Sequence, residues 1–167
     1  MFRTDKLRKT VFLSLCIVFA VALNFLENLI PTSSIVPGIK IGISNIVVLA
    51  VIYIYSLKEG LMCAFLKSVI ITLLGGNLSS FIYSISGGFF ASLSMGILKR
   101  FKILSPMGVS MAGSFFHITA QITVAFFSLG SYTVFYYYPY LIFFGTISGI
   151  LNGYLVKLLL QKLERRV

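Results

Sequence analysis

Residues 10–30 read TVFLSLCIVFAVALNFLENLI, a run in which only Glu27 carries a charge. About 20 helical residues, at a rise of roughly 1.5 Å each, cross the ~30 Å hydrocarbon core of a bilayer. The run therefore predicts a membrane-spanning helix. A secretory signal has an apolar region of only about 7–15 residues followed by a small-x-small cleavage site. This run is longer and lacks such a site, so it is expected to be retained as a first span.

Outward from it, charges and turn formers cut the chain into pieces of similar size. The spans are read as 10–30, 39–57, 60–75, 79–98, 106–130 and 137–160. Pro31 to Pro37 makes a loop through which a helix cannot continue, and Gly75, Gly76 and Asn77 form a turn. Ser105 followed by Pro106 reads as an N-cap with proline at the first helical position. Lys99, Arg100, Phe101 and Lys102 make a basic connector. The fold class expected is an all-α integral membrane protein, a six-helix bundle forming one transmembrane domain over 1–167 in the cell membrane.

Composition agrees. Of the 167 residues 58% are hydrophobic and 11% charged, with a mean hydropathy of +1.00; a soluble domain has about 25% charged residues. Fourteen Lys and Arg stand against four acids, Asp5, Glu27, Glu59 and Glu164, for a formal charge of +10. With the amino terminus inside, twelve bases fall on the cytoplasmic side, only Lys40 lies outside, and Lys67 is left within a span. This is a positive-inside pattern with both termini cytoplasmic. The bases lie between apolar runs instead of along one exposed face, which argues against nucleic acid.

The shortage of acids excludes chemistry. Magnesium sites on clustered aspartates, carboxylate proton relays and paired-carboxylate hydrolases all need groups this chain lacks. Cys16 and Cys63 lie in apolar runs without metal-site spacing and read as packing residues. No nucleotide-binding loop is present. No cofactor, metal or catalytic residue is expected.

Small residues recur at four-residue spacing in three spans. Gly145, Gly149 and Gly153 share one face of the sixth, and Ser80, Ser84, Gly88, Ser92 and Gly96 one face of the fourth, while Gly38 and Gly42 open the second. Such stripes allow close helix approach in lipid. They fit either packing inside the bundle or docking of another membrane subunit. Tyr132 and the run Tyr136 to Tyr140, broken only by Pro139, suit an aromatic belt at the outer interface or stacking on an aromatic ligand.

Ionisable groups within a span usually face a cavity or a partner. Lys67 lies about 10 Å into the third span and His117 about 16 Å into the fifth, both near mid-depth. Gln121 follows His117 by one turn on the same face, and Asn45 lies about 9 Å below the outer end of the second span. At the outer rim Glu27 and Lys40 are placed to pair across the loop, which leaves Lys67 without a carboxylate. These residues predict a polar pocket open to the outside, binding a small ligand with an anionic or carbonyl-rich part. The other reading is that Lys67 snorkels inward while His117 and Gln121 bond to neighbouring backbone.

The segment Pro37-Gly38-Ile39-Lys40-Ile41-Gly42-Ile43-Ser44-Asn45, with Gly87-Gly88 and with Ser105-Pro106-Met107-Gly108-Val109-Ser110 leading to His117 and Gln121, resembles the Gx transporter family. That family is also labelled heptaprenyl diphosphate synthase component I. It is similar to the substrate-binding S components of energy-coupling-factor transporters. The resemblance implies six helices, an outward-facing ligand, and a scaffold membrane subunit with two ATPases as partners. It also implies ligand-binding roles for Lys40, Asn45, Lys67, His117 and Gln121. S components often present an alanine pair from the first helix to the scaffold; the nearest match here is Cys16, Ala20 and Asn24.

The reading that leads is a binding and translocation subunit for a small solute. The alternatives are a non-catalytic membrane component of isoprenoid or quinone synthesis and a membrane component of a flavin or quinone redox system. Prenyl elongation holds its diphosphate through magnesium on aspartate-rich motifs, and the single aspartate, Asp5, restricts the first alternative to an accessory role.

Overall fold

The computed structural model describes residues 2–27, 40 and 42–165, with side chains from residue 6 onward. Six α-helices run through them: α1 (Phe2–Glu27), α2 (Asn45–Ile54), α3 (Leu57–Leu73), α4 (Leu78–Phe101), α5 (Pro106–Leu129) and α6 (Tyr138–Glu164). A short 3-10 turn, Tyr132–Tyr137, leads into α6. The described residues contain no strand. The Pro31 to Pro37 loop, Gly38 and the last residues of the first predicted span lie outside the described residues.

Local signals account for most helix ends. The Ser105 hydroxyl accepts from Gly108 N at 3.4 Å with Pro106 opening α5, and Asn77 Oδ1 accepts from Ser80 N at 2.7 Å to start α4. Gly75, at φ +119°, makes the turn after α3. The fourth helix runs further than expected. Lys99, Arg100 and Phe101 belong to α4, and Lys102 closes it in the left-handed conformation at φ 54°.

Among the described residues four stretches are long and apolar enough to cross a membrane: Lys6–Glu27, Leu78–Phe101, Pro106–Leu129 and Tyr132–Glu164. The other two helices are shorter. The helix expected over 39–57 has only the ten residues of α2, about 15 Å, and α3 has 17. The shortness of α2 has a physical explanation in its surroundings: it packs against α1, α3, α4 and α6. Non-helical backbone at membrane depth is tolerated where protein, not lipid, surrounds it. Its carboxyl-terminal end is closed by Lys99, whose Nζ donates to the carbonyls of Ile52 at 2.6 Å and Tyr53 at 3.4 Å.

The long helices pack through their small residues. A Cβ at Gly149 would lie 3.0 Å from Met111 Cα, and one at Gly153 would lie 2.7 Å from Pro106 O, so the α6 stripe presses directly on α5 backbone. Gly145 faces Ile118 of α5. On α4, Gly88 faces Ala64 and Gly96 faces Leu57, both on α3, and Ser84 bonds with Ser68 of α3 at 2.8 Å. Ser92 is fully buried and donates to Gly88 O at 2.6 Å within its own helix. Both stripes are therefore covered by neighbouring helices of this chain. Two apolar clusters fill the bundle, one centred on α2 with Val48, Leu49 and Ile52, the other under the 3-10 turn with Tyr83, Ile122 and Leu141.

Candidate functional site

A chain of buried polar side chains lies within this apolar bundle. Lys67 of α3 is 2% exposed, and its Nζ donates to Ser44 Oγ at 3.0 Å and to Asn45 Oδ1 at 3.1 Å. The Asn45 amide lies 3.1 Å from His117 Nδ1, and the Gln121 amide lies 3.0 Å from His117 Nε2. The four residues predicted to converge on a polar pocket, Asn45, Lys67, His117 and Gln121, form one connected network. Lys67 does not snorkel inward; its ammonium is committed to the start of α2.

Lys40 joins the same network from the segment that precedes α2. Its backbone N–H donates to Gln121 Oε1 at 3.1 Å, and its side-chain ammonium donates to Asn24 Oδ1 of α1. The expected Glu27–Lys40 ion pair is therefore not formed. Glu27 Oε1 instead accepts the Gly42 N–H, while Gly42 O accepts from Asn152 Nδ2 of α6 at 3.2 Å. The reason is geometric. Lys40 and Gly42 lie outside the helices, so their buried N–H and C=O groups need partners from elsewhere in the chain. Glu27, Gln121 and Asn152 supply them, which draws the glutamate from the lysine to the backbone.

Hydrogen-bond capacity defines what the cluster can do. A neutral imidazole has one acceptor nitrogen and one N–H, so the amides of Asn45 and Gln121 cannot both donate to His117. Turning the Gln121 amide to accept from Nε2–H removes the acceptor from Lys40 N–H. The Gln121 amide also donates to Tyr83 O at 3.5 Å. In formal charge Lys40 and Lys67 stand against Glu27. The site therefore carries one net positive formal charge. Such a cluster suits an anionic or carbonyl-rich group.

The side chains of Asn24, Glu27, Lys40, Lys67, His117 and Gln121 surround a cavity with room for about one water molecule. Anything larger requires the surrounding side chains to move apart. Gly87 of α4 makes the close fit feasible, since a Cβ there would lie 2.7 Å from the His117 ring and 3.1 Å from Gln121. By contrast, the open groove between α3 and α4 is lined by apolar groups such as Leu61, Phe65 and Phe89.

Several contributors are not recognisable from residue type. Ser44 and Asn152 are ordinary polar residues at helix ends or on small-residue faces, and only the tertiary contacts mark them. Asn24 had a local signal: it precedes Glu27 by three residues and so shares its face. Ala20 and Asn24 are buried at 0% and 2%, so the nearest match on α1 to the alanine pair of S components points into the bundle, with Cys16 partly exposed. At the far end Tyr132 and Tyr136 are 76% and 83% exposed, whereas Tyr138 turns back to bond Thr119 at 2.8 Å.

A family model described as heptaprenyl diphosphate synthase component I matches residues 16–159. No curated protein and no solved structure matches the chain.

Proposed function

The chain belongs to the heptaprenyl diphosphate synthase component I family, and from that premise we propose that it is a non-catalytic membrane subunit that binds and translocates a small solute. In this reading it is a multi-pass cell-membrane protein with six spans and both termini cytoplasmic. A scaffold subunit and ATPases of the energy-coupling-factor kind supply the energy. The observation that carries the reading is the buried polar network running from Lys67 through Asn45 and His117 to Gln121. An unneutralised lysine within a span is costly unless it serves a ligand or a pathway. Here Lys40 adds a second positive group to the same cavity.

The glycine and serine stripes are taken up inside the bundle, so a scaffold would have to contact lipid-facing surface. Exposed Leu15, Val18 and Phe19 of α1 offer such a surface. A second reading, an accessory subunit for isoprenoid diphosphate synthesis, is favoured by the description of the matching family. The two differ in their partners.

Native mass spectrometry of the protein gently extracted from its own membrane tests both. A solute transporter subunit is expected to carry a small-molecule mass that is lost in Lys67→Ala and His117→Ala, and to retain a membrane scaffold with ATPases. Co-purification with an aspartate-rich prenyltransferase and no scaffold would overturn it in favour of the second reading.

A further inference from the structure

Resting on the reading of the cluster as an anion site, we propose that Glu27 is a further binding residue and that the ligand is a small organic anion carrying a hydrogen-bond donor. Glu27 is 2% exposed and lines the cavity with Lys67, Lys40 and His117. Its Oε1 accepts the Gly42 N–H, but Oε2 has no hydrogen-bond partner among the described residues. Lys40, the cation best placed in sequence to satisfy it, is committed to Asn24.

A buried carboxylate oxygen without a donor is unfavourable, and native proteins seldom keep one without a reason. A ligand that brings an N–H or O–H to Oε2 removes this deficit. The rest of the cavity constrains the ligand differently. Two lysines against one glutamate leave one formal positive charge, which a single negative group neutralises. The two requirements together describe an acid with an adjacent donor. A site with a buried acceptor rejects an analogue lacking the donor, because the acceptor then stays unpaired.

Pyrrole-2-carboxylate and furan-2-carboxylate separate these requirements, since they share shape and charge but present a ring N–H and a ring oxygen respectively. Calorimetric titration of the full chain in nanodiscs is expected to give a Kd about tenfold lower for the pyrrole acid, the effect of one hydrogen bond to a charged group. Glu27→Gln keeps an oxygen for the Gly42 N–H and places an amide NH₂ where Oε2 stood, so the preference should reverse. Lys67→Ala should lose both acids. Equal affinities in the wild type, both lost in Lys67→Ala, would overturn the role of Glu27 and leave the anion site standing. A preference unchanged in Glu27→Gln would also overturn it. Binding of neither acid by the wild type would remove the anion site and this inference together.

Discussion

Lys67 is the residue on which the functional argument turns, and its burial admits a decisive substitution. Its ammonium is desolvated and held by two neutral acceptors, Ser44 and Asn45. Removing it deprives those two groups of a donor but also removes a buried charge whose desolvation costs several kcal/mol. Lys67→Met keeps the volume of the stem. Its melting temperature in detergent is expected to rise or to stay within about 3 °C, since about 1 kcal/mol corresponds to roughly 2–4 °C at this size. A fall of more than about 10 °C would identify Lys67 as a structural pin. Lys67, His117, Gln121 and Asn45 were legible as candidates because an ionisable or amide group inside an apolar run stands out by type. Glu27 was visible too, but assigned the wrong partner: charge attraction favoured Lys40, while the backbone need at Gly42 decided the contact.

At the scale of elements, what matters is which helices touch through backbone. Gly153 and Gly88 both belong to small-residue stripes, yet they tolerate a methyl group differently. A Cβ at Gly153 would lie 2.7 Å from Pro106 O and 2.9 Å from Met107 N, backbone atoms that cannot turn aside. A Cβ at Gly88 would meet Ala64 Cβ at 3.5 Å, an ordinary contact. Gly153→Ala is therefore expected to cost about 2–3 kcal/mol by overpacking. Gly88→Ala is expected to be neutral or to gain up to about 1 kcal/mol of helix propensity. Thermal melts of the two variants side by side check this, and similar melts would contradict the close α5–α6 approach. The stripes themselves are readable as four-residue periods. Which helix covers each stripe is not, because α5, α3 and a foreign subunit all offer complementary surfaces.

Across the whole molecule the proposed topology makes its own prediction. If the twelve bases mark the cytoplasmic side, a fluorescent-protein fusion at the carboxyl terminus should fluoresce. Alkaline phosphatase inserted after Gly130, between α5 and the 3-10 turn, should be active. The opposite pair of results would invert the bundle and turn the candidate site inward. The apolar run at 10–30 and the sparse charge of the later runs made long apolar helices legible in the sequence, as an architecture suited to hydrocarbon, which admits only backbone that satisfies itself. The single aspartate, Asp5, likewise offers no aspartate cluster for magnesium. Only the tertiary structure decided that α2 is a short central helix, that Lys40 and Gly42 are fastened by side chains from α1, α5 and α6, and that one oxygen of Glu27 is left without a partner among the described residues. Helical periodicity records which face of a segment is apolar, but a break in a helix is stabilised by residues far away in the chain, and those pairings exist only once the bundle has closed around them.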